Sequence, residues 1–145
     1  MSGWTPEARR FLAEHRVGHL ATTGADGVPH VVPVCYAIDD GALYFVADEK
    51  PKRRPARALR RLENLRENPR AAVVVDDYDE DWTRLAYVLV RGPARAVTDP
   101  ASHRAALVLL RQRYPQYVAM ALDDPERNPV VRVEPELVTL WRAGR

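Results

Sequence analysis

A cluster of basic residues between positions 50 and 70 has the clearest chemical meaning in this sequence. The segment carries nine Lys or Arg against two Glu, whereas the whole chain of 145 residues has a net charge of only +2. Segregated charge of this kind indicates an anion-binding surface. Lysine and arginine suit phosphates and carboxylates, because their cationic groups donate strong, charge-assisted hydrogen bonds. The candidate anion-binding residues are Lys50, Lys52, Arg53, Arg57, Arg60 and Arg61.

Two other interpretations of the cluster stay open. Pro55 suits the first turn of a helix that runs to about Leu65, and Arg57, Arg60 and Arg61 would then form its wholly basic, solvated outer face. Nucleic acid is the other anion to consider. The sequence carries no nucleic-acid-binding motif, and the acidic run at 76–81 would repel a phosphate backbone, so we expect no nucleic acid partner.

Catalysis by protein side chains has little support in the sequence. Cys35 is the single cysteine, which excludes an internal disulfide and a four-thiolate zinc site, and we expect it to be a small buried apolar residue. His15 and His19 are four positions apart but straddle Gly18 at the predicted end of a helix, so no metal site is predicted. We therefore predict no catalytic side chain, and any redox chemistry would come from a bound cofactor.

The composition predicts a single domain over residues 1–145. Hydrophobic residues make up 46% of the chain and charged residues 29%, which is close to the average for globular proteins. The apolar runs are far too short to span a membrane, and the N-terminus lacks the apolar stretch of a secretory signal. We expect a cytoplasmic protein with no membrane partner.

The order of predicted elements is typical of a mainly β (α+β) fold. Three helices are expected. The first begins at Pro6, after the N-cap residue Thr5, the second lies in the basic segment, and the third runs from Pro100 to about Arg113. Strands are expected at 19–23, 29–38, 43–47, 71–75 and 85–97, with one or two closing strands at 130–133 and 137–141. The strand at 85–97 is expected to have a bulge or bend at Gly92-Pro93. About six strands joined mostly by turns indicate a small antiparallel barrel with helices at its rim.

Several motifs resemble the pyridoxamine-phosphate-oxidase-like (PPOX class) split β-barrel family. The resemblance begins with the opening hairpin, GHLATT at 18–23 and DGVPHVVPV at 26–34. It continues through DEKPKR at 48–53, LRRLENL at 59–65, NP at 68–69 and VDDYDEDW at 75–82. This second set is similar to an actinobacterial subgroup of probable coenzyme F420-dependent oxidoreductases. The resemblance implies a six-stranded antiparallel split β-barrel (FMN-binding split barrel) with short rim helices.

The resemblance also implies a homodimer with a flavin-type cofactor in each of two grooves at the interface. In that arrangement Lys50, Lys52 and Arg53 would hold the cofactor phosphate, and Arg57, Arg60 and Arg61 would reach the acidic tail of a deazaflavin. The residues implied to line the ring are Pro33, Val34 and Cys35. Trp82 would stack on the ring from the partner subunit, although packing in a core or an interface is the commoner role of a tryptophan.

One functional prediction and two alternatives follow from these implications. We predict that the chain transfers a hydride from reduced coenzyme F420 to a small unsaturated or aromatic acceptor. An FMN-dependent oxidoreductase of the same fold and a non-catalytic flavin or deazaflavin carrier are the alternatives. The sequence departs from the family twice: residues 85–90 are less aromatic than in the subgroup, and the ending at 142–145 lacks Arg-Leu-Ala-Pro. Pyridoxamine phosphate is therefore not the expected substrate.

Overall fold

The chain folds around an antiparallel sheet that curls into a split half-barrel. This computed structural model describes residues 3–48 and 59–144. The strands are β1 Gly18–Thr23, β2 Pro29–Val34, β3 Ala37–Ile38, β4 Leu43–Val46, β5 Arg70–Asp77, β6 Ala86–Ala96, β7 Val130–Val133 and β8 Leu137–Arg142. The helices are α1 Pro6–Glu14, α2 Arg60–Glu67 and α3 Pro100–Arg113, and two 3-10 turns cover Trp82–Arg84 and Pro115–Ala119.

The long strand β6 joins the two halves of the sheet. The strands are hydrogen-bonded in the order β2-β1-β5-β6-β7-β4-β3, and β8 pairs with β6 off this path. The first part of β6 pairs with β5 and β8, and its last three residues, 94–96, pair with β7. Because one strand belongs to both halves, the sheet bends around it, and the predicted antiparallel split barrel is confirmed.

Eight strands are described where the sequence predicted about six. The run predicted as one strand at 29–38 is divided, because Cys35 and Tyr36 leave the ladder between β2 and β3. The closing run forms two separate strands, since β7 pairs with β4 and the end of β6 while β8 pairs with the beginning of β6. The predicted acidic loop at 76–81 is shorter than expected, because Asp76 and Asp77 still belong to β5.

Helix α1 is held at both ends by side chains that satisfy its unpaired backbone groups. At the start, the Thr5 hydroxyl accepts a hydrogen bond from the first turn at 3.2 Å, and Pro6 opens the helix, as predicted. The last turn contains no basic residue of its own. Instead, the Tyr36 hydroxyl donates to the carbonyl of Leu12 at 2.6 Å, and Arg113 donates to the carbonyl of Ala13 at 3.2 Å. The helix terminus is therefore anchored to the β2–β3 region and to α3.

Two apolar clusters support the sheet. The larger cluster fills the half-barrel between α1, α2 and the strands, and it includes Phe11, Leu20 and Phe45. The smaller one packs α3 and the 3-10 turn Pro115–Ala119 against β4, and it includes Val46 and Leu110. Within residues 3–48 and 59–144, no helix has the length and apolar character needed to cross a membrane.

Gly92 lies where the 134–136 connection passes closest to β6. A methyl group at this position would lie 2.0 Å from the carbonyl oxygen of Glu134 and 3.0 Å from the backbone nitrogen of Glu136. The predicted bulge is not present, because pairing between β5 and β6 continues in register through Gly92 and Pro93, and β6 passes to its pairing with β7 at the next residue, Ala94. The glycine is required for clearance from a neighbouring backbone.

We predict that Gly92→Ala lowers the free energy of unfolding by at least about 2 kcal/mol, because the added methyl group displaces backbone. Gly41→Ala is the matched control, since its methyl group would meet only side-chain atoms, the end of Arg132 at 3.4 Å and the Asp39 carboxylate at 3.8 Å. Its effect is expected to stay within about 0.5 kcal/mol. Urea unfolding followed by circular dichroism measures both, and equal losses would contradict the clearance argument.

Candidate functional site

A groove between the end of β2 and the end of β4 is the candidate site, because it contains four of the predicted site residues. Its volume is about 340 Å³. The lining residues are Val17, Val32, Pro33, Val34, Cys35, Val46, Asp48 and Arg61. The wall is thus mostly apolar, with a carboxylate and a guanidinium as its charged groups. An apolar wall with a few polar groups is typical of small-molecule sites.

Strand β2 forms one wall of the groove because it is an edge strand. It pairs with β1 alone, and Pro33 lies opposite His19 on that strand. Proline has no backbone N–H, so an edge position is where a strand tolerates it. The edge position of β2 therefore agrees with the presence of Pro33 in that strand. Beyond Val34 the chain leaves the ladder, which brings Cys35 to the groove.

Asp48 forms the opposite wall, two residues after the end of β4. Its side chain is buried, with 7% of the residue exposed, and it accepts a hydrogen bond from the Tyr117 hydroxyl at 3.0 Å. Burial raises the pKa of Tyr117 above its ordinary value, and the Asp48 charge raises it further. Tyr117 therefore remains a neutral hydroxyl that donates to the carboxylate.

Arg61 brings a half-buried positive charge to the same groove. Burial lowers the pKa of its guanidinium, and the nearby Asp48 carboxylate opposes that shift. The Arg61 Nε atom is buried and makes no hydrogen bond to the residues that the structure describes. A buried donor without a partner is costly, and an anionic group of a ligand would satisfy it.

The structure separates the two neighbouring arginines of α2. Arg61 lines the groove, whereas Arg60 is exposed, lies 3.5 Å from Glu63, and borders a different cleft beside His30. The predicted wholly basic outer face is therefore wrong for Arg61. Successive helical residues differ by about 100°, so Arg61 falls at the boundary of the apolar face and Arg60 opposite it.

The remaining predicted site residues are not in the groove or cannot be placed. Lys50, Lys52, Arg53 and Arg57 lie outside the described residues. Trp82 begins the 3-10 turn after β5, is 68% exposed, and lies away from the groove lining of its own chain. Its indole N–H donates to the Tyr78 hydroxyl at 3.4 Å. The structure thus brings together Pro33, Val34, Cys35 and Arg61 out of ten predicted residues.

Sequence reasoning missed several residues of the groove. Val17 directly precedes β1 and Val46 ends β4, and both residues line the groove. No local sequence pattern indicates that the start of β1 and the end of β4 lie next to the end of β2. Asp48 begins the DEKPKR motif, but nothing in the sequence indicates a role for its carboxylate. Tyr117, which supports Asp48 from outside the groove lining, carries no local signal, since the two residues are 69 positions apart in the chain.

Comparison with known proteins identifies the family and several relatives. The sequence model of the pyridoxamine 5'-phosphate oxidase family matches residues 4–142. The chain is 27% identical over 141 residues to the 5a,11a-dehydrotetracycline/5a,11a-dehydrooxytetracycline reductase of Streptomyces rimosus subsp. rimosus, covering 95% of this chain and 82% of that protein.

Two solved structures have the same fold. A conserved hypothetical protein from Mycobacterium tuberculosis is 26% identical, with a TM-score of 0.74, covering 96% of this chain and 84% of that one. An FAD-binding protein from Mesorhizobium loti is 27% identical, with a TM-score of 0.68, covering 94% of this chain and 93% of that one.

The separation of Arg60 from Arg61 makes a matched test of the groove. We predict that Arg61→Gln weakens binding of the phosphate-bearing probe FMN by about tenfold or more, because a charge-assisted hydrogen bond is worth about 1.5 to 3 kcal/mol. Arg60→Gln removes the same charge outside the groove and is expected to stay within about twofold of the parent. Isothermal titration calorimetry measures both, and an equal loss in the two variants would show that only overall charge matters.

Proposed function

Since the chain belongs to the pyridoxamine 5'-phosphate oxidase family, we propose that it is an oxidoreductase that holds a flavin-type cofactor in the groove between β2 and β4. The observation that carries this proposal is the combination of an apolar wall with the buried, unpartnered Nε of Arg61. A flavin or deazaflavin has the same two parts, a flat apolar ring and an anionic tail. The residues present therefore fit the group.

In this proposal the chain binds the cofactor, orients it and shields it from water, and the bound cofactor supplies the hydride. Pro33, Val34 and Cys35 pack against the ring and exclude water from one of its faces. Arg61 holds an anionic group of the tail. Because the Tyr117 hydroxyl already donates to Asp48, we propose solvent rather than Tyr117 as the source of the proton that completes the reduction.

Coenzyme F420 is the cofactor we propose, and FMN is the second candidate. F420 carries a phosphodiester and an acidic tail, which matches the excess of basic residues from Lys50 to Arg61 better than a single phosphate does. The FAD-binding relative from Mesorhizobium loti supports a flavin instead. A non-catalytic carrier with the same groove is the remaining alternative, and it would bind the reduced cofactor without oxidising it.

The acceptor we propose is a small unsaturated or aromatic compound. The Streptomyces rimosus relative is a reductase of dehydrotetracyclines, which supports a conjugated acceptor for this chain as well. At 27% identity the relative does not identify the compound. The strand at 85–90 that would select it also differs from the subgroup in its aromatic content.

A homodimer is the assembly we propose, with the outer face of the sheet as its interface. The strand registers place two neighbouring rows on this face across β2, β1, β5 and β6, which are Val31, Ala21, Ala72 and Arg91 in one row and Pro33, His19, Val74 and Leu89 in the next. Val31 is 62% exposed. Contiguous exposed apolar surface is costly in a monomer and is typical of an interface between subunits. Trp82, at one end of this sheet, would then be available to a second subunit, as the resemblance implies.

The first test of the proposed cofactor is a parallel titration with coenzyme F420 and FMN, followed by tryptophan fluorescence at moderate salt. We expect F420 to bind at least about tenfold more tightly, because it makes additional charge-assisted contacts with the basic segment. The opposite preference would assign the protein to FMN. Binding of neither cofactor would contradict the proposed function.

The proposed dimer has its own test. Val31→Asp is expected to convert a dimer into a monomer, because it buries an unpaired carboxylate in the interface. Val118→Asp is the matched control, since Val118 is 65% exposed but lies on the 3-10 turn Pro115–Ala119, away from the sheet face. Light scattering coupled to size-exclusion chromatography measures the mass. A parent that is already monomeric would overturn the assembly.

A further inference from the structure

Two tyrosines at and just after the end of α3 form hydrogen bonds to the two walls of the groove without lining it. Tyr114 and Tyr117 are both buried, and their ring centroids lie 5.7 Å apart in an edge-on arrangement. Tyr114 precedes the 3-10 turn Pro115–Ala119, and Tyr117 lies within it. Neither ring lines the groove itself. Their hydroxyls, however, bind backbone and side-chain groups next to residues that do.

Tyr114 holds the β2 wall. Its hydroxyl accepts a hydrogen bond from the backbone N–H of Tyr36 at 3.0 Å. The same hydroxyl lies 2.9 Å from the Tyr36 carbonyl and 2.8 Å from the Arg16 carbonyl, to either of which it donates. Tyr36 lies between β2 and β3, so this hydroxyl replaces the strand partner that its backbone lacks. The residues next to these anchor points, Cys35 and Val17, line the groove.

Tyr117 holds the opposite wall. Its hydroxyl donates to Asp48 at 3.0 Å, and Asp48 follows β4 by two residues. Tyr117 is thus connected to the Asp48 side of the groove, while Tyr114 is connected to the β2 side.

We propose that Tyr114 and Tyr117 are positioning residues that together set the spacing between the two walls of the groove. The pair forms a clamp, because the end of α3 and the 3-10 turn that directly follows it carry the two hydroxyls. Removing either hydroxyl would free one wall without removing any residue from the groove lining. The effect on ligand affinity rests on the proposed function, whereas the effect on the walls does not.

The test uses Tyr114→Phe, Tyr117→Phe and the double variant. Tyr44→Phe is the matched control, because Tyr44 also donates to a carboxylate, Asp39 at 2.9 Å, but lies outside the groove lining. The first measurement is the rate at which Ellman's reagent modifies Cys35, the single cysteine, in protein without ligand. We expect each clamp variant to react about fivefold faster or more, the loss of one buried hydrogen bond being worth about that factor. Tyr44→Phe is expected to react at the parent rate.

The second measurement is the affinity for FMN and F420, with the melting temperature recorded for every variant. We expect the clamp variants to bind whichever cofactor the parent binds about fivefold to tenfold more weakly, with Tyr44→Phe unchanged. Thiol rates that follow melting temperature across all variants, the control included, would reduce the tyrosines to a purely structural role and overturn the clamp.

The two proposals fail separately. If the parent protein binds neither cofactor, the proposed function is wrong, and the thiol rates still decide whether the tyrosines hold the walls. If the cofactor binds but neither the thiol rates nor the affinities change, the clamp is wrong. Should Tyr117→Phe fail to fold because it removes a hydrogen bond to the buried Asp48, Tyr114→Phe carries the same test.

Discussion

The backbone of Tyr36 must find hydrogen-bond partners at the point where the edge strand β2 leaves one half of the sheet. A buried N–H or C=O without a partner costs about 1 to 3 kcal/mol. The chain can therefore turn out of the ladder at Tyr36, the corner between β2 and β3, only if other groups bind this backbone. Tyr114 supplies both a donor and an acceptor there, and the Tyr36 side chain in turn caps α1. The corner, the helix that closes one end of the half-barrel, and the groove beside Cys35 therefore depend on one another.

The groove combines features that oppose each other energetically. Its valine and proline wall lowers the local dielectric, which strengthens every electrostatic interaction inside but penalises charge without a partner. Asp48 and Arg61 share this space, and the attraction between them compensates part of the penalty on each. Arg61 nevertheless keeps a buried donor unsatisfied among the described residues.

Local sequence signals predicted most of the elements but few of the contacts that shape the site. Alternation placed Val32 and Pro33 on opposite faces of β2, and Thr5 with Pro6 marked the start of α1, because these properties depend on neighbours in the chain. The division at Tyr36 was missed because its partner Tyr114 is 78 positions away. Arg60 and Arg61 could have been separated by their angle to Leu59, Leu62 and Leu65 on α2, since only Arg60 lies opposite these leucines. The residues 49–58, which carry much of the predicted anion site, are not described.

Pro33 belongs both to the groove and to the outer face of the sheet. It lines the groove, and it lies on the same face of β2 as Val31, two positions away. Any protein that packs on that face would therefore also contact one wall of the groove. A second copy of the chain would exclude water from the exposed side of a bound ring, which strengthens the charge-assisted contact to Arg61. Ligand binding and assembly would then stabilise each other, because the bound ring would contact both copies of the chain.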